Sequence, residues 1–300
     1  MTRAWNRFWF EPEPTSTLAL VRIAFGLVVL GWTVALLPDF FAWFGADGIL
    51  PRQPGGIAGW WGPLGPDAPD GVLVGVLIAL LVSAACLVVG YRTRLAAVLV
   101  FLGLLAFERR DPWVFDSGDG LLRVIALYLA LAPSGAALSL DRARRARERF
   151  WEFPARAPWA LRLMQVQLSV IYLATVWTKL RGTTWNDGTA VSYALRVGDL
   201  ERFPLPHFVT DSVLIANLMT YGTLAIELAI GVLVWNRRAR PWVLGLGVAL
   251  HLGIEYSMRV GFFTVGMLVL YLAFVPPDTA SRAVLAVRDR ARPRRVRQPA

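Results

Sequence analysis

The chain has 300 residues, of which 56% are hydrophobic and only 17% charged, with 13 tryptophans. Soluble domains hold about half apolar and a quarter charged residues, so an ordinary water-soluble enzyme is excluded and the bilayer is the expected solvent. The net charge of +10 rests on 31 basic residues, and the single Cys86 excludes an intramolecular disulfide and a cysteine-held metal cluster.

A basic start and an apolar run without a small-residue cleavage site read as an anchor, not a removable signal. Eight runs are apolar enough to cross a bilayer, which takes roughly 20 residues each with allowance for tilt. They lie near 17–37, 71–90, 94–108, 121–139, 159–180, 212–235, 241–258 and 261–277. The expectation is an all-α polytopic helical bundle: a cytoplasmic segment 1–16, a transmembrane domain 17–277 and a basic tail 278–300. With the N-terminus inside, 20 arginines fall on the cytoplasmic side and 7 on the other, a positive-inside bias that argues for both termini inside.

Between the spans, residues 38–70 bring Phe40, Phe41, Trp43, Phe44, Trp60 and Trp61 together with turn formers. This reads as an aromatic belt with a reentrant loop at headgroup level, with a lid over a lipid-soluble substrate as the compatible alternative. The run at 141–153, DRARRARERFWEF, reads as an interfacial amphipathic helix, and the arginine-rich tail as attracted to anionic lipid. Membrane lipid is thus an expected partner, and nucleic acid is not.

Ionisable residues inside spans are costly and point to function unless they reach the interface by snorkelling. Arg22 and Arg162 lie within a few residues of the cytoplasmic ends, where snorkelling accounts for them. Lys179 ends the fifth span and is the only lysine in the chain. Arginine serves wherever a plain positive charge is enough, whereas a desolvated lysine can lose its proton and act as a base. Glu227 lies deep in the sixth span, either protonated or paired across the bundle with Lys179, His251 or an arginine. His251 and Glu255 stand four residues apart on one face of the seventh span, a spacing that also suits a polar pair locking two helices together. Carboxylates near Arg109, Arg110 and Arg123 read as structural partners of those arginines. No phosphate loop, GxSxG elbow or HExxH motif is present, and no metal is expected.

Three stretches resemble the vitamin K-dependent gamma-carboxylase superfamily and its bacterial HTTM (horizontally transferred transmembrane) members. They are RIAFGLVVLGWTVALLPDFFAWFGADGILP, IYLATVWTKLRGTTWNDGTAVSYAL and LHLGIEYSMRVGFFTVGMLVLYLAFVP, and the likeness runs from residue 16 to 277. It implies an intramembrane lysine, Lys179, acting as base on vitamin K hydroquinone, with Glu227 and His251 at positions of polar residues in the later spans. Glu255, by its spacing to His251, is a further catalytic candidate, and reduced menaquinone is the quinol expected in a bacterium. Tyr172, Trp177, Trp185, Asp119 and Arg123 are the candidates for substrate contact. The chain departs from the pattern at FDSGDGLL, where Asp119 stands and a histidine is missing, and it lacks the large lumenal domain. The expected function is quinol-dependent modification of an unknown substrate in a bacterial inner membrane, with the site on the extracytoplasmic side. The alternatives are a noncatalytic partner in maturation or export of a secreted peptide and, third, a transporter whose Gly118, Gly120, Gly261 and Gly266 leave room for motion.

Overall fold

The computed structural model describes residues 2–49, 62–65, 68–111, 113–145 and 147–291. Fifteen α-helices are defined among them: α1 (Thr2–Phe10), α2 (Ser16–Ala35), α3 (Phe40–Phe44), α4 (Asp70–Val89), α5 (Thr93–Arg110), α6 (Ser117–Leu131), α7 (Leu140–Ala143), α8 (Trp159–Lys179), α9 (Thr183–Asn186), α10 (Ala190–Leu195), α11 (His207–Asp211), α12 (Val213–Leu233), α13 (Arg240–Ser257), α14 (Phe263–Leu272) and α15 (Pro277–Ala291). The strands are two residues each, β1 (Glu13–Pro14) and β2 (Ala155–Arg156), paired antiparallel. The chain is an all-α, membrane-type bundle.

Of the eight expected spans, α2, α4, α8 and α12 are each long and apolar enough to cross a membrane alone. The other four apolar runs form α5, α6, α13 and α14, which are shorter or more polar. The pair α14 and α15 makes a fifth candidate span, bent by 102°. Helices α2, α4, α5 and α6 pack in succession; α8, α12 and α13 form a second group, and α14 touches α2, α6, α8 and α13. The core runs between the groups through Phe25, Leu80, Leu104, Leu122, Leu168 and Leu270. Outward, α4 and α12 present Ile78, Val82, Leu218 and Val232. Polar groups inside and apolar side chains outside are the arrangement a hydrocarbon solvent favours.

Local sequence sets the ends of these helices. Ser212 caps α12, its hydroxyl accepting from the Ile215 N–H. Asp116 and Asp119 form a reciprocal capping box on α6. Gly90 closes α4 at φ +71, and a Cβ there would lie 2.4 Å from that of Ser139.

Four expectations are corrected. Arg22 does not snorkel: it is wholly buried and donates to the carbonyls of Ser134, Ala137 and Leu138 at 2.9, 3.1 and 2.6 Å. The 133–139 turn folds back over α2 and brings acceptors to the guanidinium, so it need not reach water. Arg162 is likewise held by the protein: it pairs with Glu13 and donates to the Phe8 carbonyl at 3.2 Å and to Gln165 Oε1 at 3.0 Å.

The expected amphipathic helix over 141–153 is broken into α7 and a 3₁₀ turn, Arg147–Trp151. Its start is tied down, because Asp141 accepts from the N–H groups of Arg92 and Thr93 at 2.7 and 2.8 Å and from the Thr93 hydroxyl at 2.8 Å. At the other end Phe150, Trp151 and Phe153 pack on Ala19, Ala137 and Leu138. Burial pushes the Asp141 carboxyl up, but the hydrogen bonds from Thr93 and Arg92 and the charge of Arg144 outweigh it and hold it below the usual range.

Two of the six residues of the expected belt are core. Phe40 and Phe44 are buried, with ring centroids 5.7 and 5.2 Å from that of Phe107, while Phe41 and Trp43 face outward. Trp60 and Trp61 lie outside the described residues. Finally, Gly118 is no hinge: a Cβ on it would sit 2.7 Å from the Phe263 backbone nitrogen, so it marks close packing of α6 on α14.

Candidate functional site

The second helix group holds a polar cluster in an otherwise apolar interior. On α8, Tyr172, Val176 and Lys179 follow at i, i+4 and i+7, which puts them in one stripe. Lys179 Nζ donates to Glu227 Oε1 of α12 at 2.6 Å and lies 4.5 Å from the ring centroid of Trp185, a cation–π contact. The side chains of the pair are 19% and 8% exposed.

About two turns deeper, the Tyr172 hydroxyl meets His251 Nε2 at 2.8 Å and is also hydrogen-bonded to the Tyr271 hydroxyl of α14. The approach of Tyr271 depends on Gly247, one turn before His251, where a Cβ would lie 2.3 Å from the tyrosine oxygen. The two bonded sets feel each other electrostatically: Glu227 acts on both tyrosines and Lys179 on His251. Two buried atoms of the cluster, Glu227 Oε2 and His251 Nδ1, have no hydrogen-bond partner among the described residues. Such atoms are costly in a dry interior unless a ligand or water meets them.

Lys179 sits deeper than the end of a span suggests. The chain turns at Gly182, and α9 and α10 run beside the first half of α12, with Tyr221 donating to the Asn186 carbonyl at 2.7 Å and the Val191 N–H to Thr220 Oγ1 at 3.2 Å. Glu227 is 14 residues into α12, about 21 Å along it at 1.5 Å per residue. The ammonium therefore meets the middle of a neighbouring helix and turns inward to a carboxylate instead of outward to headgroups.

Other candidates fall elsewhere. Glu255 does not join His251; it pairs with Arg202 at 2.6 Å. The reason is a backbone bridge between Glu201 and Met258, which brings Arg202 to the end of α13. Trp177 is 63% exposed and carries Arg181 over its ring at 5.0 Å, on the side turned away from Lys179. Asp119 is occupied by the Trp32 indole N–H at 2.5 Å and the Asp116 N–H at 2.8 Å. Arg123 pairs with Glu108. Phe263 links the two regions: its ring lies 5.6 Å from His251 and its backbone packs on Gly118. Tyr271 was not among the sequence candidates; its one signal is a hydroxyl inside the apolar run LVLYLAF. Among the described residues no group of three or more histidine, cysteine or acidic side chains could hold a metal.

A helical membrane bundle with a lysine, a carboxylate, a histidine and two tyrosines gathered in its interior defines an integral membrane protein whose polar centre is reached through an apolar surround. The HTTM domain matches residues 64–279, and the chain belongs to the HTTM-domain family, which occurs in vitamin K-dependent carboxylase-like proteins. No curated protein and no solved structure matches it.

Proposed function

We propose that this protein is a membrane enzyme in which Lys179 serves as base toward a reduced quinone, menaquinol or vitamin K hydroquinone, coupled to modification of a further substrate. The observation that carries the reading is the Lys179–Glu227 pair, held in the apolar interior with Glu227 Oε2 left without a partner. A reduced quinone, when bound, supplies a weakly acidic hydroxyl and reducing equivalents. Glu227 Oε2 and His251 Nδ1 are suited to its hydroxyl groups, and Trp185 offers a flat apolar face beside the amine.

The chain's own contribution is proton placement. At rest Lys179 holds the proton and Glu227 the negative charge. When an apolar ligand excludes water, the proton passes from Nζ to the carboxylate and leaves an amine with a free lone pair, because a neutral pair costs less than two charges in a low dielectric. Tyr172 and Tyr271 keep His251 oriented through Nε2. Positioned in a bacterial inner membrane, with the site toward the extracytoplasmic side, the protein would draw its quinol from the bilayer.

Purified protein given menaquinol and oxygen is expected to form quinone epoxide, and Lys179→Ala to form none. No epoxide from the native protein, or equal rates in the variant, refutes the assignment. A second reading, a noncatalytic partner in maturation or export of a secreted peptide, is favoured by the saturation of Asp119, which leaves no free acid–base group where the family carries a histidine. On that reading Lys179→Arg, which keeps the ion pair, preserves peptide maturation in cells; on the catalytic reading it abolishes it.

A further inference from the structure

We infer that the turn joining α12 and α13 is a binding site for the headgroup of an anionic phospholipid. Arg237 and Arg238 are exposed there, and among the described residues neither they nor Arg240 makes an ion pair with a carboxylate. Arg240 is half-buried and held in place: its Nε donates to the Val234 carbonyl at 2.9 Å and its guanidinium lies 5.6 Å from the ring centroid of Phe274. Its charge is opposed by those of Arg237 and of Arg162 on α8. The carboxylate at this corner, Glu13, is already taken by Arg162. The like charges of Arg162, Arg237 and Arg240 oppose one another here, and a phosphate relieves that repulsion with the bidentate geometry arginine favours.

The turn is built and not loose. Asn236 Oδ1 accepts from the backbone N–H groups of Arg238 and Ala239 at 2.9 and 3.3 Å, which fixes the backbone of the turn that carries the exposed arginines. What selects a lipid over a free phosphate is the surface beside it. Val232 and Leu233 at the end of α12, and Trp242 and Leu246 at the start of α13, are all turned outward, with Trp242 77% exposed. A diacyl chain laid along that ridge keeps its phosphate at the arginines, and tryptophan at this level is the usual marker of the headgroup boundary. Arginines that serve only to orient a protein in the membrane need neither a fixed turn nor a half-buried member.

Delipidated protein in detergent, titrated with phosphatidylglycerol or phosphatidylcholine and read by native mass spectrometry, tests this. One phosphatidylglycerol is expected to bind in preference to phosphatidylcholine. Arg237→Gln with Arg238→Gln should weaken it about 25-fold, roughly fivefold for each arginine near a charged surface, with an unchanged melting temperature. Arg3→Gln with Arg282→Gln, the same loss of charge elsewhere, should leave it unaltered, and Trp242→Ala should weaken it without loss of charge. Equal binding of the two lipids, equal weakening in the control pair, or displacement of the lipid by inorganic phosphate overturns the proposal.

Discussion

Replacing Lys179 with methionine keeps most of its length but removes the ammonium, and the consequence for the fold is large. Glu227 then has neither carboxylate oxygen partnered, since Oε2 already lacks one, and its side chain is only 8% exposed. Leaving one member of a buried pair costs about 3 kcal/mol or more. Glu227→Leu is milder, about 2 kcal/mol, because Lys179 is the more exposed partner and retains Trp185. The double variant carries no stranded charge and should lose about 1 kcal/mol, so the coupling is about 4 kcal/mol. A neutral interhelical hydrogen bond in a membrane gives about 0.6 kcal/mol and rarely more than about 1.7. Reversible unfolding of the four proteins in mixed micelles measures the cycle. A coupling below about 1 kcal/mol refutes an ion pair at rest and removes the proton store that the proposed chemistry uses.

Three further outcomes are expected. Arg22→Met strands three buried carbonyls, at about 1 kcal/mol or more each, so a thermal melt should fall steeply, and Arg22→Lys, with a single donor centre, should not restore it. Gly247→Ala should lower activity more than stability, because its methyl displaces the Tyr271 hydroxyl from Tyr172 and His251; an unchanged epoxide rate at an unchanged melting temperature would contradict that packing. The Asp141 carboxyl is held below its ordinary value when folded, so its contribution is present above the unfolded value near about 4 and is lost as the pH falls through the folded one. Asp141→Asn should accordingly lower the melting temperature at neutral pH and flatten its decline on acidification.

The long helices are readable from apolar runs, since a bilayer demands long uninterrupted stretches, and four of the eight runs are long and apolar enough to cross alone. What failed was the treatment of charge by position alone. Arg22, near a span end, was assigned to the interface, yet its acceptors are carbonyls of residues 134–138, more than a hundred positions away and invisible in the sequence. The 141–153 run has the charge pattern of a surface helix, but contacts from Arg92 and Thr93 hold its first turn elsewhere. In the site, the lone lysine of the chain was found by its rarity, and Glu227 by its depth. His251 and Glu255 do share helix spacing, but spacing carries no information about the 200–202 loop that captures Glu255. Tyr271 was passed over because a tyrosine in an apolar run reads first as packing.

Helix α8 ends just before the turn at Gly182. Lys179 is the last residue of α8, and the aligned peptide dipoles of the helix act like about half a negative charge at that end. This field, inside the bundle and little screened by salt, favours a cation at that spot whatever Glu227 does. It draws the proton back to the amine each time the ligand leaves, so the resting state resets itself. Extending α8 through residue 182 would dissolve that negative pole and leave the lysine charge dependent on a single carboxylate.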